Sequence, residues 1–218
     1  MTRSTVTPSW TRPPVTGSRA SGYRAPVEPV EINAGTCYLR QLRADAVFDD
    51  RPVVLAAFND PELRRWVPDY RVPDLEAAAR YIARRTQEWA QDLRCSWAVA
   101  DPVSGLMLAE VGLKDLDLAA GTAEVACWAH PAHRGRGLVS TAVRAMVRFG
   151  FQGLGLRRID YRHADGNTAS QRVAERCGFI PSGRQPRATV IEGRPRDLLV
   201  WSLWAGDRDD RHPDTERS

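Results

Sequence analysis

The segment Trp128-Ala-His-Pro-Ala-His-Arg-Gly-Arg-Gly-Leu-Val139 constrains this chain more than any other stretch. A strand-like run, Thr122 to Ala129, passes through a turn carrying two arginines and two glycines straight into a helical pattern. In that pattern Val139, Val143, Met146, Val147 and Gly150 share one face, and Ser140, Arg144, Arg148 and Gln152 share the other. A strand, a glycine turn and a helix in that order build a phosphate cradle. Glycine lets a ligand approach the backbone, the unpaired amides of the first helical turn point outward, and the helix dipole favours negative charge there. Arg134 and Arg136 are expected to add charge-assisted bonds. The Gly-Lys-Ser/Thr that would hold a γ-phosphate and magnesium is absent, so the expected ligand is a diphosphate bound without metal.

The remaining patterns arrange themselves around this element. Thr36 to Arg43 alternates as a first strand. Asp45 is expected to begin a helix through Val54, Leu55 and Phe58, and Asp74 to cap a second helix ending near Asp92. Arg94 to Ala100, Leu106 to Lys114 and Thr122 to Ala129 form an antiparallel meander, with turns at Asp101-Pro102 and Ala120-Gly121. After the cradle helix come a strand at Arg158 to His163, a short helix at Asn167 to Cys177 stopped by Gly178, and strands at Ile180 to Val190 and Asp197 to Trp204. The order predicts an α+β domain over residues 34–205. Residues 1–33, rich in Pro and Arg without apolar period, read as a disordered arm, and residues 206–218 as a charged flexible tail.

Composition adds limits. A net charge of +4 fits a nucleic-acid binder or an anionic ligand equally well. Lys114 is the only lysine, which makes the basicity largely a matter of arginine usage. Cys37, Cys95, Cys127 and Cys177 are scattered without a Cys-x-x-Cys pair, so reduced and mostly buried thiols are expected. No run is long and apolar enough for a membrane helix or a signal peptide, and a cytoplasmic location without membrane partners is the default expectation.

A second block lies downstream of the cradle: Asn167-x-x-Ser170, then Val173, Ala174, Glu175, Arg176 and Gly178-Phe179. With Arg134, Gly137 and Val139 it resembles the GNAT acyltransferase superfamily, whose cofactor loop reads Arg/Gln-x-x-Gly-x-Gly/Ala; Val139 departs from the last position. The likeness extends to Glu124-Val-Ala-Cys-Trp128 and to Gly193 through Asp197, and is strongest to the Rim-type branch of ribosomal-protein N-terminal acetyltransferases. It implies a mixed, mostly antiparallel twisted sheet of seven strands flanked by four helices, with a central splayed parallel pair.

It further implies acetyl-CoA as acyl donor and direct attack by a primary amine acceptor. Trp128, Ala129, Arg134, Gly135, Arg136, Gly137, Leu138, Val139, Asn167 and Ser170 are the implied cofactor contacts, with an oxyanion-binding amide near Trp128 or Ala129. The tyrosine acid of many relatives corresponds here to Ala174, which leaves Ser170 as candidate acid. The branch's glutamate base falls on Thr189; Glu124 is the candidate by residue type, with Glu110 as substitute.

Other features have plainer readings. Asn167 also suits a helix cap. His130 and His133 are separated by Pro131 and lack further ligands, so no metal is expected. Cys127 lacks a base partner and reads as core. The tryptophans read as packing residues, except Trp66, which with Pro68 and Tyr70 falls where the family's acceptor loop lies. The alternative function is a catalytically silent acyl-CoA sensor or scaffold. No nucleic-acid partner is expected without a binding motif, and the branch accommodates a homodimer.

Overall fold

The computed structural model describes residues 26–68 and 70–206. Its elements are β1 (Ile32–Asn33), β2 (Tyr38–Arg40), α1 (Arg51–Asn59), α2 (Pro61–Trp66), α3 (Leu75–Ala90), β3 (Cys95–Ala100), β4 (Met107–Asp117), β5 (Thr122–Ala129), α4 (Leu138–Gln152), β6 (Arg158–Ala164), α5 (Thr168–Arg176), β7 (Ile180–Ile191) and β8 (Arg194–Trp204). Eight strands form one sheet in the order β1-β2-β3-β4-β5-β6-β8-β7. Every neighbouring pair is antiparallel except β5 and β6.

That parallel pair is short, and its partners explain why. Pairing runs from Thr122 with Arg158 to Val125 with Tyr161 and then stops. Beyond that point β5 stays with β4 as far as Ala129 opposite Ala109. Meanwhile β6 stays with β8 as far as Ala164 opposite Leu198. Each strand follows its outer neighbour, and a gap opens between Ala126–Ala129 and Arg162–Ala164.

Strands β3 to β6 are covered on both faces, giving three layers there, whereas the edge strand β7 is largely exposed. On one face α4 packs Val143, Met146 and Val147 over Val111, Val125 and Ile159. On the other, α1 and α3 place Val54, Phe58, Tyr81 and Ile82 over Ala98, Met107 and Trp128. Asp74 caps α3 as expected, its carboxylate accepting from the Ala77 amide at 2.7 Å.

Three local expectations are revised. The helix read from Asp45 begins at Arg51, because Asp45 spends its carboxylate on the Val47 and Phe48 amides, and Asp50 binds the Arg40 guanidinium through both oxygens at 2.8 Å. A separate helix, α2, follows, with Asp60 capping the Leu63 amide and Pro61 in its first turn. The segment from Val27 to Asn33, read as part of the arm, is part of the packed structure. Val27, Val30 and Ile32 lie against the core, the Trp89 and Trp97 indoles donate to the Val27 and Val30 carbonyls at 3.0 and 2.8 Å, and Ile32–Asn33 adds a strand. Residues 1–25 of the expected arm and 207–218 of the tail lie outside the described residues. Among the described residues, no helix is long and apolar enough to cross a membrane.

Candidate active site

The glycine turn folds as an open cradle. Gly135 and Gly137 have φ of 77° and 76°, the left-handed region that favours glycine. A Cβ built at either position meets no atom within 4 Å, so the backbone there faces open space. The first bond of the helical ladder runs from the Thr141 amide to the Gly137 carbonyl at 3.0 Å. The amides of Leu138, Val139 and Ser140 therefore precede the ladder at the positive end of α4. Leu138 and Val139 anchor this end against the core. Arg136 is exposed at the rim.

Arg134 behaves differently from the expectation. Its Nη2 donates to Asp60 Oδ2 at 2.6 Å and its Nε to the Ala129 carbonyl at 3.3 Å, so the side chain ties the cradle to the start of α2. Burial raises the Asp60 pKa, but the Arg134 guanidinium and the Leu63 amide outweigh it and hold the group below the usual carboxylate range. The resulting stabilisation is complete above the unfolded carboxylate pKa near 3.9 and is lost as pH falls through the lowered folded value. Thermal unfolding between pH 6 and 2 is expected to show Asp60→Asn less stable by under about 1 kcal/mol at pH 6, from the lost ion pair while asparagine keeps the cap, with the difference vanishing at the acid end. A difference independent of pH would contradict this role for the carboxylate.

A cavity of about 1010 Å³ runs from the cradle through the gap between β5 and β6 to Phe58, Trp66 and Tyr81. Ala129, Asn167 and Ser170 line it together with Gly135 through Ser140. Asn167 caps α5, its Oδ1 accepting from the Ser170 amide at 3.0 Å. The orientation of the β5 backbone follows from one bond. His130 donates its amide to Leu108 on the β4 side at 3.0 Å, and alternation along an antiparallel strand then turns Trp128 towards β4 and Cys127 and Ala129 towards the gap. Of the two amides expected at the oxyanion position, Ala129 faces the gap, whereas Trp128 belongs to the β4 ladder.

The candidate bases are both engaged. Glu124 holds Lys114 Nζ at 2.8 Å and Arg162 Nε at 3.3 Å. Glu110, fully buried, accepts from the Tyr81 hydroxyl (2.7 Å), the Trp128 indole (3.0 Å) and Arg94 (3.2 Å), with Arg85 Nε at 3.5 Å. It supports the cavity wall from behind. Of the residues read as an acceptor loop, Trp66 and Tyr70 line the cavity, and the Trp66 indole donates to Glu62.

Two contributors escaped the sequence reading. Asp60 carries only the signal of an Asp-Pro helix start. Tyr161 reads as one apolar position of a strand, yet its hydroxyl lies 2.9 Å from Ser170 Oγ and 3.2 Å from Cys127 Sγ. Burial pushes the Tyr161 phenol well up and the Cys127 thiol up to about 11, which makes Cys127 a poor nucleophile. The other three cysteines are buried thiols. His130 accepts the Ala132 amide through Nδ1.

Residues 37–180 match the acetyltransferase (GNAT) domain, and the chain belongs to that family. It is 30% identical over 108 residues to YdaF of Bacillus subtilis (strain 168), spanning 48% of this chain and 59% of that one. To the ribosomal-protein-serine acetyltransferase of Escherichia coli (strain K12) it is 37% identical over 81 residues, 37% of this chain and 45% of that one. In fold it resembles spermidine N-acetyltransferase from Vibrio cholerae, solved with CoA and spermine, at a TM-score of 0.67, 18% identity and coverage of 78% of this chain and 95% of that one.

Proposed function

We propose that the protein transfers an acetyl group from acetyl-CoA to a primary amine. The observation that carries this reading is the open cradle at Gly135–Ser140 leading into the gap between β5 and β6. The cradle amides and the α4 dipole suit the donor's diphosphate, with Arg136 at the rim adding charge. The edges of β5 and β6, freed where the strands part, offer amide partners to an extended pantetheine chain, and Asn167 and Ser170 flank its reactive end.

When bound, acetyl-CoA supplies an activated acyl carbon. Attack by a neutral amine forms the C–N bond and breaks the C–S bond; the electron pair goes to sulfur and the amine's proton to water. The chain's own part is to orient and to stabilise charge. The Ala129 amide, turned to the gap, is the group suited to the oxyanion.

The carboxylates lining the cavity limit which amines react well. Glu62, Glu88, Asp115 and Glu124 are all engaged by donors or cations. That favours an acceptor that arrives as free base. An α-amine with pKa about 8 is substantially neutral near pH 8, whereas a lysine side chain near 10.4 is under about 1% neutral there. A protein or peptide N-terminus, or a small amine of similarly low pKa, is therefore the favoured class. The same observation supports the second reading, a silent acyl-CoA sensor.

Thiol release from acetyl-CoA against a panel of peptides and small amines, with calorimetric titration of acetyl-CoA, separates the two. Turnover with an α-amine is the expected result. Tight binding without turnover across the panel would favour the sensor.

A further inference from the structure

Ser170, Tyr161 and Cys127 stand in a row across the base of the gap, with contacts of 2.9 and 3.2 Å and the Ser170 amide pinned by Asn167. All three line the cavity. A phenol has one proton to donate, and the sulfur of a thiol accepts weakly. The favoured direction is therefore from the Tyr161 hydroxyl to Ser170 Oγ, with the Cys127 S–H turned to the phenol oxygen. Ser170 then receives a bond from behind, and its own hydrogen is left to point into the cavity. Ser170 sits in the first turn of α5, where the residue four positions earlier precedes the helix, so without the Tyr161 bond nothing fixes the rotation of its hydroxyl. Burial, and secondarily Cys127, keeps the phenol protonated, so the arrangement persists across the working pH range.

We propose that Tyr161 is a positioning residue, fixing the Ser170 hydroxyl as a hydrogen-bond donor to the donor sulfur as the C–S bond breaks. This rests on the acyl-transfer reading above. An alcohol is a far weaker acid than a thiol, so Ser170 bonds the departing thiolate and keeps its proton. The sulfur takes its proton from water, as the amine gives its own to water.

The test compares CoA with desulfo-CoA, which lacks the sulfur, by calorimetry between about pH 7 and 10.5, over which the CoA thiol, a weaker acid than a cysteine side chain, passes to the thiolate. In the unaltered protein CoA is expected to gain on the order of tenfold over desulfo-CoA as the thiolate forms, as a bond to a charged group warrants. Ser170→Ala loses this gain, Tyr161→Phe loses most of it, and the double variant behaves as Ser170→Ala. In turnover, Tyr161→Phe lowers kcat by about tenfold with the acetyl-CoA KM unchanged, and has no further effect once Ser170 is alanine.

A sulfur-specific gain retained in Tyr161→Phe, or an undiminished Tyr161 effect in the Ser170→Ala background, overturns the inference. Should Tyr161→Phe not fold, Tyr161→3-fluorotyrosine supplies a stronger donor and is expected to enlarge the gain; an unchanged gain overturns the inference as well. Failure of both CoA and desulfo-CoA to bind overturns the acyl-transfer reading itself, and this inference with it.

Discussion

Gly137→Glu is expected to lower acetyl-CoA affinity at least 100-fold while leaving the protein folded. The two halves of this result have separate causes. Gly137 has φ of 76°, so an L side chain there carries left-handed strain of about 1–2 kcal/mol. That corresponds to a fall of roughly 2–8 °C in Tm for a domain this size. No atom lies within 4 Å of a Cβ at that position, so the new side chain meets no protein and adds no clash. What it does meet is the space assigned to the diphosphate, where a carboxylate repels the ligand and covers the amides of the α4 start. Gly137→Ala carries the strain without the charge and is expected to weaken binding by about tenfold or less. Calorimetric titration of both variants, with melting curves as the folding control, reads the two contributions apart. Unchanged affinity in Gly137→Glu would remove the cradle from the proposed site.

Glu110→Ala is the substitution expected to damage stability most. The carboxylate is fully buried, and its loss strands the Arg85 and Arg94 cations, the Tyr81 hydroxyl and the Trp128 indole without their common acceptor. Removing one partner of a buried charge pair costs about 3–5 kcal/mol, which lowers Tm by roughly 6–20 °C in a domain this size. Glu110→Gln keeps an acceptor for the hydroxyl and the indole while losing the charge, and is expected to fall between. Glu124 offers the contrast: Lys114 and Arg162 are each about one-third exposed, so Glu124→Gln is expected to cost under about 1 kcal/mol. Scanning calorimetry of the three variants checks the order. A Glu110→Ala protein as stable as Glu124→Gln would mean that Glu110 does not hold the wall together.

The legible parts of the fold were those written in local pattern. The meander β3–β5, the cap at Asp74 and the glycine turn into α4 each depend on residues a few positions apart, and each forms where the sequence reads it. Elements decided by distant partners were not legible. The start of α1 is displaced because Asp50 is claimed by Arg40, and Val27 to Asn33 is held by indoles that lie some sixty residues away in sequence. The site divides in the same way. Gly135, Gly137, Asn167 and Ser170 lie together along the cavity, as their motifs imply. The partners of Arg134, Glu124 and Tyr161 come from other elements, and no spacing rule reaches them. Alternation does distinguish Ala129 from Trp128, but only once a single bond to β4 fixes which residue faces which way.

The Trp89 and Trp97 bonds to the Val27 and Val30 carbonyls carry a practical consequence for where this domain ends. Family similarity begins at residue 37, and a protein trimmed there would leave two buried indole N–H groups with no acceptor. Each such orphan costs about 1–3 kcal/mol, a large share of the net stability of an ordinary domain. The energetic boundary therefore lies about ten residues upstream of the homologous one, in a stretch held by two backbone carbonyls together with the packing of Val27, Val30 and Ile32.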